Sequence, residues 1–469
     1  MNDVKLDMGK EIVTVEGGAL WGHVYKALVN ARLDGWIVNG SRCPTDGVSG
    51  FTLSGGVGPF SRSFGMGCDT VTEISIVTAD GELITVGDSD DPASHKGMLF
   101  WALRGGGGGN FGVVVAMSFQ VFRLSGKDGI VTAGRVTWFP DPKDDHRGFL
   151  YSMNRFYTTK WPNEMTIDSS WFSDTQVQDG AIGVRFFVYY DGNERRFSKE
   201  IHNAVLGKEI EKQLKCRILP EKSTRFFHET LAMQWEEETG GMFPSNGTFR
   251  IYSSFCFGND RDDFKAINII VKEELEAFKR LFREEKYCLC QVSFIHSGGE
   301  AKRLKKKATA FRWRDAVYHT YIMIQFRDKW LERDMRGFLG KFRTRLKPLS
   351  LAKLACYVGF QDASLGDDVY EKAYYGGNHL KLRQVKRIYD RTNLFNSPQG
   401  IKVAPGANRQ SRMQAHVALE MQDEKFAPDG VVDYEEMTDR VASERWQSRT
   451  GPVPPEWLVT SRPEGGGTW

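Results

Sequence analysis

Two glycine-rich stretches contain the residues of this sequence best suited to chemistry. The first, residues 39–58, places Cys43 beside Arg42 among glycines and the hydroxyls of serine and threonine. A neighbouring cation favours the thiolate, so we expect Arg42 to lower the pKa of the Cys43 thiol. The glycines and hydroxyls around it suit hydrogen bonds to the phosphates or ring edge of a polar cofactor. The alternative is an inert cysteine in an ordinary loop.

The second stretch, residues 104–112, contains five consecutive glycines and formally matches the pattern G-x-G-x-x-G. In a nicotinamide dehydrogenase that pattern follows a strand and opens a helix. Here the order is reversed, because residues 98–103 predict a helix and residues 113–122 predict a strand. The order disfavours a nicotinamide dehydrogenase. It favours a loop whose amides approach an anion or a flat ring, with a purely structural turn as the alternative.

The elements around these stretches divide the chain into four segments. Residues 1–125 are glycine-rich and alternate as strands do, with the clearest hairpin at Glu73–Val86. Residues 126–365 alternate strands with charged helices, which predicts an antiparallel sheet covered by helices. Residues 366–405 are rich in helix, and residues 406–469 form a polar tail that we expect to be weakly ordered. The pattern predicts an α+β fold.

Composition excludes several classes of function. Lys and Arg number 63 against 60 Asp and Glu, so the charge is too balanced for a nucleic-acid partner. The seven cysteines form no C-x-x-C pair, and we expect no metal site. No apolar run reaches the length of about 18 residues that a membrane span needs. The first residues do not resemble a signal peptide, and the sequence does not indicate a compartment.

The middle segment is rich in aromatic residues, which predicts a largely apolar pocket for a small substrate. The candidate lining residues are Trp161, Trp171, Phe186, Phe187, Tyr189 and Tyr190.

Four stretches, taken together and in this order, resemble the berberine-bridge-enzyme-like flavoproteins, whose FAD fold is of the vanillyl-alcohol-oxidase or PCMH type. They are Val15–Tyr25, which begins Val-Glu-Gly-Gly; Cys43-Pro44-Thr45 continuing to Gly81; Phe100–Val114; and Tyr374–Ile401, which begins Tyr-Tyr-Gly-Gly-Asn. The resemblance covers roughly residues 10–405.

The resemblance implies a PCMH-type FAD-binding domain in two pieces with an inserted substrate domain. It further implies hydride transfer from a small organic substrate (an alcohol, an amine or a secondary-metabolite intermediate) to the flavin, with molecular oxygen as a candidate acceptor. Tyr374 and Tyr375 match the catalytic positions, and Cys43 matches a cysteine that bonds covalently to flavin C6. The cofactor-binding positions that it implies are Cys43, Pro44, Thr45, Gly47, Val48, Gly50, Thr52, Gly55, Gly56, Gly108, Gly109, Asn110, Gly112, Val113, Val114, Asn393 and Gln399.

Several departures from the family pattern qualify this expectation. Nothing in the sequence matches the family's basic Gly-Gly-His loop, so we expect an FAD domain without its N-terminal part and no second covalent link through a histidine. Asp46 stands where an apolar residue usually controls oxygen access, which leaves oxidase and dehydrogenase both open. Phe51 and Gly359 replace a histidine and an asparagine that the family often has. A catalytically impaired relative that binds a hydrophobic small molecule is therefore the alternative function.

Overall fold

The structure is a computed structural model, and it describes residues 1–126, 128–140, 146–234 and 248–405 of the 469-residue chain. The tail predicted at 406–469 lies outside the described residues. Met1–Ala404 form one compact unit, so the predicted domain boundaries near residues 125 and 365 stay predictions.

The first sheet has five antiparallel strands in the order β1-β2-β6-β4-β5. Its strands are β1 (Val4–Asp7), β2 (Ile12–Glu16), β4 (Val71–Val77), β5 (Leu83–Gly87) and β6 (Val113–Gln120); β3 (Trp36–Ile37) pairs separately with β7 (Phe122–Arg123). Side chains along each strand alternate between the two faces of the sheet: on β2, Val13 and Val15 are buried, while Thr14 between them is not. In the predicted hairpin, Gly81 supplies the positive φ of +80° that the turn requires.

The second sheet has seven antiparallel strands in the order β11-β8-β10-β9-β13-β14-β12. They are β8 (Ile130–Trp138), β9 (Met165–Asp174), β10 (Ile182–Asp191), β11 (Ile218–Lys222), β12 (Phe249–Phe257), β13 (Leu289–His296) and β14 (Tyr318–Phe326). This antiparallel sheet with helices confirms the predicted α+β class.

The α-helices in the described part of the chain are α1 (Trp21–Asn30), α2 (Val48–Leu53), α3 (Ser61–Phe64), α4 (His95–Leu103), α5 (His146–Thr158), α6 (Glu194–Asn203), α7 (Lys208–Lys215), α8 (Ser223–Arg225), α9 (Arg261–Leu281), α10 (Glu332–Leu346), α11 (Tyr370–Tyr375) and α12 (His379–Tyr389). Among the described residues, no helix combines the length and the apolar character needed to cross a membrane.

The two faces of the seven-stranded sheet differ in chemistry. Helices α5, α9 and α10 share one core with the first face, which buries Ile167, Trp171 and Phe186. Residues one position along, such as Asp168 and Ser170 on β9, point the other way because side chains alternate along a strand. The second face is therefore polar, and it remains available to a site.

The segment after residue 365 returns to the glycine loop at residues 104–112. Gly376, with φ +49°, separates α11 from α12 in a stretch that the sequence predicts as rich in helix. The fully buried Lys386 of α12 donates hydrogen bonds to the carbonyls of Asn110 (2.7 Å) and Phe395 (2.6 Å) and to Asp390 (2.7 Å). These contacts fix the returning segment against the glycine loop.

Candidate functional site

A cavity of about 700 Å³ lies between the loop 39–58 and the polar face of the seven-stranded sheet. The loop side contributes Ser41, Arg42, Cys43, Thr45, Asp46, Gly47, Gly50, Phe51, Ser54 and Val57, and the sheet side contributes Asp168, Ser169, Ser170, Phe187, Tyr189, Arg250, Tyr252, Ser293, Phe294, Ile295, Tyr321 and Met323. Gln234, Tyr357 and the stretch Gly359–Gln361 complete the lining.

Cys43 lines this cavity but is not activated there. Its Sγ lies 3.0 Å from Thr45 Oγ1, and only 4% of the residue is exposed. Burial and the nearby Asp46 carboxylate raise the pKa of the Cys43 thiol to about 12. The expectation that Arg42 lowers this pKa is wrong, because its guanidinium is directed to Asp168 and to the carbonyl of Val57.

The Arg42–Asp168 ion pair connects the two walls of the cavity. Arg42 donates through Nε and Nη2 to the two carboxylate oxygens of Asp168, with Nη2 and Oδ1 2.9 Å apart. Asp168 also accepts the backbone N–H of His296 at 2.8 Å. Burial raises the pKa of Asp168, and Arg42 and the His296 amide oppose that shift. The pair fixes the loop that carries Cys43 against strand β9.

The floor of the cavity is a network of uncharged polar groups. Ser170 and Ser293 lie on neighbouring strands with their hydroxyls 2.8 Å apart. Gln291 Nε2 donates to Ser293 Oγ at 2.7 Å and to the Tyr321 hydroxyl at 3.4 Å. Such groups both donate and accept, so the floor suits a ligand with hydroxyls of its own.

The glycines of the loop 39–58 fall into two groups. A Cβ built on Gly47 or Gly50 would meet nothing within 4 Å, and both residues line the cavity. By contrast, a Cβ on Gly55 or Gly56 would lie 2.7 Å from the Phe311 ring or 2.6 Å from the Phe51 ring. The first pair keeps space open for a flat ligand, and the second pair serves packing inside the protein.

The second glycine loop lies beside the first. The Gly107 N–H donates to the carbonyl of Leu53, the last residue of α2 (2.8 Å). Gly108 and Gly109 are exposed, and within the described ranges their amides donate to no other group. Exposed, unsatisfied amides in a glycine loop are the donors that bind phosphate groups, so this loop fits the diphosphate of a dinucleotide.

The other predicted cofactor residues do not meet in the cavity. Asn110 is buried, with its side chain bound to the carbonyl of Gly106 (3.1 Å) and the N–H of Ile401 (2.9 Å). Gln399 binds Tyr374 and the carbonyl of Asp362. None of the following lines the cavity: Pro44, Val48, Thr52, Gly55, Gly56, Gly108, Gly109, Asn110, Gly112, Val113, Val114, Asn393 and Gln399.

Tyr374 and Tyr375, the predicted catalytic residues, also lie outside the cavity lining. The Tyr374 hydroxyl donates to Gln399 (2.7 Å) and accepts the N–H of Asp362 (2.9 Å), and Tyr375 donates to the Gly106 carbonyl (3.0 Å). Burial raises the pKa of both phenols. Tyr357, which no sequence motif singles out, lines the cavity instead and accepts the N–H of Gly56 at 3.3 Å.

The expectation of an aromatic, apolar pocket is only partly met. Phe187 and Tyr189 line the cavity. Trp161, Trp171, Phe186 and Tyr190 belong instead to the core beneath the helices. For Trp171, Phe186 and Tyr190 the reason is the strand period, which puts adjacent residues of one strand on opposite faces.

Asp168, Ser170 and Ser293 escape prediction because they are isolated polar residues or short polar runs inside strands, and no motif marks them. The available signal is their alternation with buried apolar neighbours such as Trp171 and Val292. Their convergence on one cavity depends on strand order, which no local pattern contains.

Comparisons with known proteins point to flavoproteins. A family model described as an FAD binding domain matches residues 1–87, and a model described as berberine and berberine like matches residues 356–402. The uncharacterized FAD-linked oxidoreductase YvdP of Bacillus subtilis (strain 168) is 26% identical over 409 residues, which cover 86% of this chain and 80% of that protein.

Two solved structures share the fold. Berberine bridge enzyme from Eschscholzia californica superposes with a TM-score of 0.69 at 18% identity, covering 87% of this chain and 80% of that one. A chitooligosaccharide oxidase superposes with a TM-score of 0.67 at 20% identity, covering 86% and 81%. The cofactor that these comparisons support is FAD. By these matches the chain is similar to the berberine-bridge-enzyme-like FAD-linked oxidoreductases.

Proposed function

We propose that this enzyme oxidises a small organic molecule bearing hydroxyl groups, held between the loop 39–58 and the sheet floor. The observation that carries the proposal is the joint lining of one cavity by flavin-loop residues and by the uncharged network around Ser170 and Ser293. The chitooligosaccharide oxidase among the structural neighbours has a hydroxylated substrate by its name, which supports the same class.

The residues present fit the cofactor. Gly47 and Gly50 leave room for a ring beside Cys43 and Thr45, and the exposed amides of Gly108 and Gly109 suit the diphosphate. When bound there, FAD supplies a two-electron acceptor for a hydride from a substrate carbon. The protein's own contribution is to bind, orient and exclude water. Covalent attachment through Cys43 requires its thiolate, which the surrounding charge and burial disfavour in the free protein.

We assign the tyrosines different roles. Tyr357 lines the cavity, as do Tyr189, Tyr252 and Tyr321, and its hydroxyl accepts the N–H of Gly56 in the loop 39–58. Burial raises its pKa, so at neutral pH the hydroxyl is protonated and orients the substrate by hydrogen bonding. Tyr374 and Tyr375 hold the returning segment to the glycine loop through the bonds to Gln399 and Gly106.

The test is a reconstitution experiment on the whole chain. We expect purified protein to take up FAD and to show the visible absorbance of a bound flavin, and a panel of sugars and other alcohols to bleach it anaerobically. Oxygen uptake, compared with reduction of a dye, then identifies the acceptor. Uptake of FAD without bleaching by any member of the panel would favour the impaired relative, and no uptake would refute a functional flavin site.

A further inference from the structure

Arg250 is a cation of the cavity wall with a free hydrogen-bond donor. It is the second residue of β12, and its side chain lines the cavity. Nε donates to Gln325 Oε1 on the neighbouring strand β14 at 2.9 Å, which orients the guanidinium. Nη2 is buried and has no hydrogen-bond partner. A buried N–H donor without a partner costs free energy, so a ligand that places a hydrogen-bond acceptor at Nη2 would be stabilised.

The charge of Arg250 is likewise not balanced inside the described part of the protein. Among the described residues no Asp or Glu carboxylate forms an ion pair with it, whereas Arg42, the other arginine of the cavity, is paired with Asp168. The neutral Gln234 lines the same cavity, and its Nε2 is a second buried donor without a partner. Its Oε1 accepts the Tyr189 hydroxyl at 3.2 Å, which leaves the amide nitrogen to donate.

We propose that Arg250 binds a carboxylate of the substrate, so that the enzyme's substrate is a small hydroxylated carboxylic acid. The inference rests on the function proposed above and specifies the substrate class of the same site. A guanidinium offers two parallel N–H groups to a carboxylate, a geometry that an alcohol or an alkaloid ring does not complete. Ser170 and Ser293, which line the cavity and which Gln291 supports from behind, then bind the hydroxyls of the same molecule.

The sequence also offers a competing account. Glu236, Glu237 and Glu238 precede β12 in a segment outside the described residues. If one of these carboxylates is the partner of Arg250, the cavity has no preference for an acidic ligand. The experiment below therefore compares each acid with its uncharged counterpart.

The test measures binding to the FAD-loaded full chain by calorimetry. The probes are D-glucuronate against D-glucose, and glycerate against glycerol. We expect at least one acid to bind about tenfold or more tightly than its neutral counterpart, with a preference that weakens as salt rises. Arg250→Gln should abolish the preference for acids. Arg250→Lys should keep part of this preference, because lysine has the positive charge but lacks the two parallel N–H groups of the guanidinium. Arg336→Gln, on the exposed side of α10, is the matched control and should change nothing.

Equal binding of every acid and its neutral counterpart, or no binding of any acid, would overturn the inference. The comparison on the unaltered protein needs no variant, so misfolding of Arg250→Gln leaves the inference testable. Failure of the proposed function has a different signature. In that case the purified chain takes up no flavin. If such a flavin-free chain still prefers acids in an Arg250-dependent way, the anion site is supported and the oxidoreductase function is refuted.

Discussion

Arg42 and Asp168 face each other across the cavity, 126 residues apart in the chain, with Nη2 and Oδ1 2.9 Å apart. One belongs to the loop that carries Cys43 and the other to strand β9. The pair therefore sets the distance between the loop 39–58 and the floor of the cavity.

Removal of Arg42 should lower the free energy of unfolding of the protein. Arg42→Ala leaves Asp168 as an uncompensated buried charge, and we expect a loss of about 3 kcal/mol in the free energy of unfolding by urea. Adding Asp168→Asn should recover part of that loss. The exposed Arg303–Glu300 pair is the control, and Arg303→Ala should cost less than about 1 kcal/mol. Equal effects of the two arginine variants would contradict the assignment.

Cys43 should react slowly with alkylating reagents in the FAD-free folded protein. With a pKa of about 12, a fraction of about 10⁻⁴ of the thiol is ionised at pH 8. The thiolate increases as pH rises, and Asp46→Asn should move that increase to lower pH by removing the neighbouring negative charge. The rate of Cys43 alkylation at each pH is measured by mass spectrometry of peptides after iodoacetamide treatment, with the exposed Cys216 as internal reference. Labelling of Cys43 as fast as Cys216 would refute the buried, neutral thiol.

Two glycines of the same loop should respond differently to substitution. Gly50→Val places its side chain in open cavity space, so we expect an unchanged melting temperature and FAD affinity lower by about tenfold or more. Gly56→Ala instead meets the Phe51 ring at a φ of +74° and should cost about 1–2 kcal/mol of stability. Thermal unfolding and flavin titration separate the two effects. A strong loss of stability in Gly50→Val would show that this position is structural.

The buried Lys386–Asp390 pair should make stability depend on pH. Burial would raise the pKa of Asp390, but hydrogen bonds from Lys386 and from the amides of Phe395 and Leu394 outweigh it, and the pKa is lowered. Its stabilisation is therefore complete above its unfolded pKa, about 4, and is lost as pH falls through the lower folded value. We expect Lys386→Met to cost about 3 kcal/mol in urea unfolding at pH 7 and less at pH 3. The exposed Arg391→Met is the control, and a pH-independent loss would contradict the linkage.

The proposed division of roles between tyrosines is open to a direct comparison. Tyr357→Phe should slow substrate-dependent bleaching of the flavin by about 100-fold, with flavin binding retained, because a substrate that loses this hydrogen bond is held in a less productive orientation. Tyr374→Phe removes the hydrogen bond to Gln399 and should lower stability by about 1 kcal/mol with the bleaching rate unchanged. Anaerobic stopped-flow absorbance and thermal unfolding provide the two readouts. The reverse outcome would return the catalytic role to Tyr374.

Local patterns predict much of the fold because they depend on neighbours along the chain. The alternation at Ile12–Glu16, the turn at Gly81 and the helical spacing of Trp21, Val24 and Leu28 are each decided within a few residues. The same holds for the order helix, glycine loop, strand around residues 104–112, which disfavours a nicotinamide site and which the fold confirms.

The sequence by itself determined the α+β class, the glycine loops and, through the order of its motifs, the resemblance to flavoproteins and the cofactor FAD. Only the tertiary structure decided which residues form the cavity. Strand pairing brings Ser293 beside Ser170, and the Arg42–Asp168 pair brings the loop to the floor. The same packing buries Trp171 and makes the Cys43 thiol less acidic, although its neighbour is an arginine. Strand order and the direction of a charged side chain depend on contacts between distant residues, so spacing alone does not contain them.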